Sequence, residues 1–130
     1  MDKTLIILRG LPGCGKTTLA KKIGRAICTA DDYHTDIKGN YNWNPKNVGL
    51  AHDWCKRKCK RFMKAGIEQI IIANTSTTEK EFTPYIHMAK FYHYKVFSII
   101  VENRHEGENS HRVPRETLEK MKERFQIKLI

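Results

Sequence analysis

The residues best equipped for chemistry stand close to the start of the chain, in Gly10-Leu11-Pro12-Gly13-Cys14-Gly15-Lys16-Thr17-Thr18. Gly10, Gly15, Lys16 and Thr17 match the spacing Gly-x-x-x-x-Gly-Lys-Thr, and each residue type answers a physical demand. Glycines let the backbone curl so that successive N–H groups converge on phosphate oxygens. A helix starting near Lys16 would add the positive end of its dipole. Lys16 offers a point charge to the outer phosphates, and the Thr17 hydroxyl is a ligand for Mg²⁺. An apolar strand, Leu5 to Leu8, runs into the loop and a helical pattern leaves it, which is the context this motif requires. The spacing therefore predicts a nucleoside triphosphate site, with Mg-ATP as its ligand. Gly10, Pro12, Gly13, Cys14, Gly15, Lys16, Thr17 and Thr18 are its binding residues.

A phosphate loop does not by itself separate a kinase from an ATPase or a GTPase. The segment Thr29-Ala30-Asp31-Asp32-Tyr33-His34 bears on that choice. It follows the second apolar run, so it falls at the carboxyl edge of the sheet, where open α/β folds hold their ligands. Paired aspartates there suit an acceptor hydroxyl, one as general base and the other binding metal or holding the loop. A turn capped by aspartate is the plainer use of the same residues. Guanine recognition is disfavoured, since the nearest approach to Asn-Lys-x-Asp is Asn44-Pro45-Lys46-Asn47. An ATPase with an acidic pair ending a strand is disfavoured too, because Ile70-Ile71-Ile72 runs into Ala73-Asn74-Thr75-Ser76 without a carboxylate.

Four short runs read as the strands that position these groups: Leu5 to Leu8, Ala26 to Cys28, Gln69 to Ala73 and Val96 to Val101. They are rich in Ile or Val and do not alternate cleanly, as expected of strands buried on both faces of a parallel sheet. Helical segments lie between them. Lys16 to Gly24 follows the glycine loop, and Asn47 to Ala65 carries an apolar stripe at Ala51, Cys55, Cys59 and Phe62, widened by Trp54 and Met63. Glu79 to Tyr92 turns Phe82, Ile86, Ala89 and Tyr85 inward, and a last helix begins after Val113-Pro114 with Leu118, Met121 and Phe125 as its apolar positions. Strand and helix alternate throughout, so the expected architecture is α/β with a parallel sheet.

Composition narrows the remainder. At 130 residues the chain is about one domain's worth of sequence. No apolar run approaches the ~20 residues of a membrane span, and Asp2-Lys3 leads straight into the first strand without a signal peptide, so an intracellular location is expected, cytoplasmic or nuclear. Cys55 and Cys59 have neither the redox nor the zinc-knuckle spacing, and the histidines form no ligand set. A net charge of +10 favours polyanionic partners. Lys56, Arg57, Lys58, Lys60, Arg61 and Lys64 crowd one helix, either as a solvated face or as a track for a phosphate backbone. The run Tyr41-Asn42-Trp43-Asn44-Pro45 either grips an acceptor or packs on the core.

The ordered set Arg9 to Thr18, Thr29-Ala30-Asp31-Asp32-Tyr33, Ala51-His52-Asp53-Trp54, Ile72-Ala73-Asn74-Thr75-Ser76 and Asn109-Ser110-His111-Arg112-Val113-Pro114 resembles the small P-loop kinases of the polynucleotide 5′-hydroxyl kinase type. The resemblance covers essentially the whole chain. It implies a P-loop NTPase three-layer α/β/α sandwich with a short parallel sheet, as a single kinase domain over residues 1–130. It also implies transfer of the γ-phosphate of ATP to a hydroxyl of DNA or RNA, with Mg²⁺ at Thr17 and Asp31. By that resemblance Asp31 is the general base, Lys16 is catalytic, and Asp32, Tyr33, His34, Asn74 and Thr75 serve the acceptor. The chain departs from the pattern in three places: Ala73 stands where members often carry aspartate, Glu108 precedes Asn109 in place of arginine, and Arg112 replaces the usual glycine before Val-Pro. A lid arginine must then come from Arg104, Arg112 or Arg115, and Arg112 is preferred. A hydroxyl on a modified base or a small molecule is the alternative acceptor, and an ATP-binding module without acceptor chemistry is the alternative class.

Overall fold

In the computed structural model, which describes residues 2–104 and 113–127, the apolar runs form four parallel strands. They are β1 (Thr4–Arg9), β2 (Ala26–Cys28), β3 (Gln69–Ala73) and β4 (Lys95–Ile100), in the spatial order β2-β3-β1-β4. Leu5, Ile6 and Ile7 of β1 lie opposite Ile70, Ile71 and Ile72 of β3. Side chains alternate across a strand, so one register divides this central pair between two cores. Leu5, Ile7, Ile70 and Ile72 join the cluster under α2 (Val48–Lys64) and α3 (Glu79–Phe91), with Cys55, Cys59, Met63, Phe82 and Tyr85. Leu8, Ile71 and Ala73 face the other way, onto Leu19, Ala20 and Ile23 of α1 (Lys16–Ile23). The result is a three-layer α/β/α sandwich of the expected class.

The helix stripes behave as their spacing predicts. Ala51, Cys55, Cys59 and Met63 of α2 are buried, with Trp54 and Phe62 partly so. All four cysteines are buried free thiols that pack as small apolar residues. Among the described residues no helix is long and apolar enough to cross a membrane.

One strand departs from the expectation of burial on both faces. β4 lies at the sheet edge, and Phe97, Ile99 and Ile100 are exposed there by 52%, 39% and 38%. α1 packs over β1 and β3, while Val96 alone of β4 joins the α2–α3 core.

Because every strand pair is parallel, the carboxyl ends of β1, β2 and β3 open onto one edge. The glycine loop leaves β1 there, the Asp31 segment leaves β2, and Asn74 to Thr77 leave β3. α4 (Arg115–Arg124) closes this edge from above. Its exit is held by Arg9, whose buried guanidinium lies between the rings of Phe82 and Phe125, 4.4 and 4.8 Å from their centroids. The same group donates to the carbonyls of Ser76 at 2.8 Å and Gln126 at 2.7 Å.

Candidate active site

The glycine loop is built around two backbone constraints. Gly13 and Gly15 have φ of 81° and 95°, left-handed conformations that side-chain-bearing residues adopt at a cost. A Cβ on Gly10 would meet the Val101 carbonyl oxygen at 2.6 Å and Cys14 Sγ at 2.5 Å, so no larger residue fits beside β4. Gly10 donates its N–H to the Thr75 carbonyl at 3.1 Å, which ties the loop to the end of β3. Gly15 then starts α1, whose first turn carries no acidic residue to compete for an anion. Lys16 curls back over the loop, donating from Nζ to Gly10 O at 2.7 Å and to Leu11 O at 3.3 Å. Burial lowers its pKa from the ordinary lysine value, against the opposing influence of Cys14 and Asp31.

Across from this loop, residues Ala30–His34 form a 3-10 turn rather than a plain loop. Thr29 caps it through Oγ1, which accepts the Asp31 N–H at 3.3 Å. Asn74 Oδ1, at the end of β3, accepts the Ala30 N–H at 2.8 Å, and its Nδ2 donates to Cys55 Sγ at 3.6 Å. Asn74 thus orders the turn that carries Asp31. Tyr41 donates its hydroxyl to the Asp31 carboxylate; burial first, then that carboxylate, push the phenol up to about 12. Asp31 therefore faces the cleft with a neutral donor at its side over the whole physiological range.

These groups surround one cavity of about 850 Å³. Pro12, Gly13, Gly15, Lys16, Thr17 and Thr18 line it from the loop side. Asp31, His34, Asn74 and Thr75 line it from the ends of β2 and β3. Asp31, expected at the carboxyl edge of the sheet, thus shares its cavity with the phosphate loop. Gly10 and Cys14 lie behind the loop as its frame, Cys14 only 4% exposed. Asp32 and Tyr33 are placed elsewhere. Asp32 meets Lys58 at 3.8 Å, and the Tyr33 ring lies 6.0 Å from Trp54, both on the outer side of the turn, and neither lines the cavity. A turn of three residues per cycle cannot aim three successive side chains inward, which is why this run splits. Arg112, expected as the lid arginine, lies outside the described residues.

Several lining residues have no role in the site that the sequence assigns. Thr117, Met121 and Arg124 face the cavity from α4. Arg124 Nε also donates to Thr77 Oγ1 at 3.1 Å, and that hydroxyl donates to Glu81 at 2.7 Å. His52 enters from α2, one turn after Val48, and burial lowers its pKa from the ordinary histidine value. Arg124 was legible only as one more basic residue on a helix whose placement over the loop is a tertiary fact.

A family model described as an AAA domain matches residues 5–127. The human NEDD4-binding protein 2 is 37% identical over 97 residues, which cover 71% of this chain and 5% of that protein. A candidate kinase of Chloroflexus aurantiacus superposes with a TM-score of 0.60 at 16% identity, covering 77% of this chain and 59% of that one. A chain of the Pnkp1/Rnl/Hen1 complex superposes with a TM-score of 0.62 at 19% identity, covering 99% of this chain and 41% of that one. The chain thus spans well under two thirds of each of these relatives. At such identities the structural likeness is one of fold alone.

Proposed function

The chain belongs to the AAA-domain family whose model spans it, and from that premise we propose that it is an ATP-dependent kinase that phosphorylates a hydroxyl of a nucleic acid, at a polynucleotide 5′ end. The observation that carries this reading is the shared cavity: the glycine loop with Lys16 on one wall and Asp31 on the other. A nucleotide-holding module needs the first wall; an acceptor hydroxyl adds the need for a general base opposite it.

In this reading the loop amides and Lys16 hold the phosphate chain of ATP in line with the acceptor. Asp31 takes the proton from the acceptor hydroxyl as its oxygen bonds to the γ-phosphorus. The bond from that phosphorus to the bridging oxygen breaks, and ADP leaves with the electron pair. Lys16 stabilises the charge that builds on the phosphoryl oxygens. Tyr41 and Asn74 hold Asp31 and its turn in place.

The donor set suits Mg²⁺, which keeps several waters and takes only one or two protein oxygens beside phosphate. The Thr17 hydroxyl and the Asp31 carboxylate line the cavity, and the described residues contain no cluster of three or more His, Cys, Asp or Glu for a closed metal cage. When bound there, the ion supplies charge neutralisation between the outer phosphates. Arg112 is proposed as the lid arginine that closes over the same phosphates.

The test is transfer of label from γ-labelled ATP to oligonucleotides ending in a 5′-hydroxyl, with 5′-phosphorylated copies as controls. Label is expected on the hydroxyl ends alone. Asp31→Asn should reduce transfer by roughly 10²–10⁴-fold, the usual worth of a general base, while ATP affinity stays within a factor of about two to three. Transfer that survives this substitution unchanged would remove Asp31 from the chemistry. Label on internal bases, or on small hydroxylic compounds alone, would replace the acceptor.

A further inference from the structure

Beside Asp31 the cavity has a wall of which the transfer step uses only the Tyr41 hydroxyl. Tyr41, Trp43, Val48 and His52 form this wall, beside the ring of His34. It is aromatic rather than basic. Among the described lining residues the lysine and arginine side chains are Lys16, on the phosphate loop, and Arg124, on α4. Burial lowers the pKa of His52, which favours its neutral imidazole.

Trp43 stands out within this wall. It lines the cavity while remaining 55% exposed, so much of its indole faces water. A large apolar ring held in that position gains free energy when another flat surface covers it. Core packing, the plainer role for an aromatic in a connector, does not fit that exposure.

The segment carrying Trp43 is also held firmly. Thr35 and Tyr41 pair as an antiparallel bridge, and Asn42 donates its N–H to His34 O at 2.7 Å. The Asp36 carboxylate accepts the N–H groups of Lys38 and Asn40 at 2.9 and 2.8 Å, closing the hairpin. On the far side of Trp43, the Asn44 side chain accepts the Lys46 N–H at 3.0 Å and starts the next turn. The backbone at Trp43 is thus held between two bonded neighbours. Tyr41 is fixed as well, its hydroxyl on Asp31 and its ring edge-on to His34 at 6.0 Å. Residues two apart in an extended segment face the same way, which accounts for both rings lining the cavity. A segment held before binding loses little backbone entropy on binding.

We infer that Trp43, with Tyr41 beside it, is a stacking subsite for a flat heterocyclic base that the acceptor carries next to its reacting hydroxyl. This rests on the kinase reading and narrows it. The acceptor's end is recognised through the face of its terminal base, and every base offers such a face, so the subsite discriminates little among the four bases.

The experiment compares two 5′-hydroxyl oligonucleotides, identical except that one lacks the base on its terminal nucleotide. For the native protein, KM for the base-free acceptor is expected to be higher by about tenfold, the lower range of a base–aromatic stack. Trp43→Ala should raise KM for the complete acceptor to the base-free value, and Trp43→Phe should recover most of the difference. Equal KM values for the two acceptors in the native protein would overturn the subsite. A binding measurement separates this failure from failure of the kinase reading. Trp54, the second of the chain's two tryptophans, packs against Tyr33 outside the cavity. In a Trp54→Phe protein, a 5′-hydroxyl trinucleotide added without ATP should quench the Trp43 fluorescence saturably, and a base-free deoxyribose-phosphate chain should not. Quenching without transfer would leave the subsite standing and remove the kinase. Transfer without quenching would do the reverse.

Discussion

Lys16 is a half-buried cation whose neighbours are carbonyl oxygens and a thiol, and partial burial lowers its pKa. Such a group is poorly compensated unless an anion joins it. Replacing it with alanine removes that attraction and leaves the loop backbone, which is set by glycine conformations, intact. Charge-assisted hydrogen bonds contribute ~1.5–3 kcal/mol, so Lys16→Ala is expected to weaken ATP binding by about 10- to 100-fold. Calorimetric titration gives the affinity, and an unshifted melting curve shows that the fold is kept; tight ATP binding by this variant would contradict the assigned loop. Tyr41 acts one step further from the reacting atoms. Its hydroxyl donates to Asp31 and remains protonated, since its pKa is pushed up to about 12. Tyr41→Phe should therefore lower kcat by about tenfold, one such bond's worth, with ATP affinity unaltered. Single-turnover transfer at saturating ATP reads this effect, and an unchanged kcat would mean that Tyr41 supports only packing.

Asn74 shows how elements, rather than residues, build the site. The side chain at the end of β3 accepts a backbone N–H 44 positions earlier, and so couples the β2 exit to the sheet. Asn74→Ala leaves the Ala30 N–H buried without that partner, a cost of ~1–3 kcal/mol. Urea unfolding should give a free energy of unfolding lower by that amount, and kcat should fall while KM for ATP holds. Loss of ATP affinity would instead mean that the loop, tied to Thr75 next door, had shifted too. This coupling also marks how far the sequence alone could be read. The strands and helices were legible because their signals are local: Ile-rich runs of strand length, and the Ala51-Cys55-Cys59 spacing of α2. The phosphate loop was legible because its glycines serve local backbone geometry. The partner of Ala30 was not, because an asparagine after a strand carries no sign of which distant N–H it will meet. The exposure of β4 was hidden for a related reason: Phe97 and Ile99 have strand composition, and edge position depends on strand order. Likewise, Met121 was expected as an apolar helix position, but its role over the cavity follows from where Arg9 anchors the chain after α4.

Over the whole molecule, the excess of 24 basic over 14 acidic residues is distributed in a way that bears on the acceptor. Lys56 meets Asp53 at 3.3 Å, and Lys58 meets Asp32 while lying across the Trp54 and Phe62 rings, so part of the basic run on α2 has local partners. Lys60 and Lys64 are exposed. Val48, His52, Lys56, Lys60 and Lys64 are each four apart and so form one row along the helix, and the first two line the cavity. Sixteen residues at 1.5 Å each make this row about 24 Å long. A polyanion with its end in the cavity can follow it outward; a small acceptor cannot reach it. These two cases differ in salt dependence. Each phosphate neutralised on a single strand contributes about −0.7 to the slope of log affinity against log salt. Engagement of the three lysines therefore predicts a slope near −2 for a long 5′-hydroxyl oligonucleotide, and a much shallower one for a dinucleotide. Lys60→Glu with Lys64→Glu should raise KM for the long acceptor at low salt and flatten its slope. KM for the dinucleotide and for ATP should barely move, because both bind inside the cavity. If acceptor length made no difference to the salt slope, the basic row would be a solvated face, and its charge would serve solubility rather than recognition.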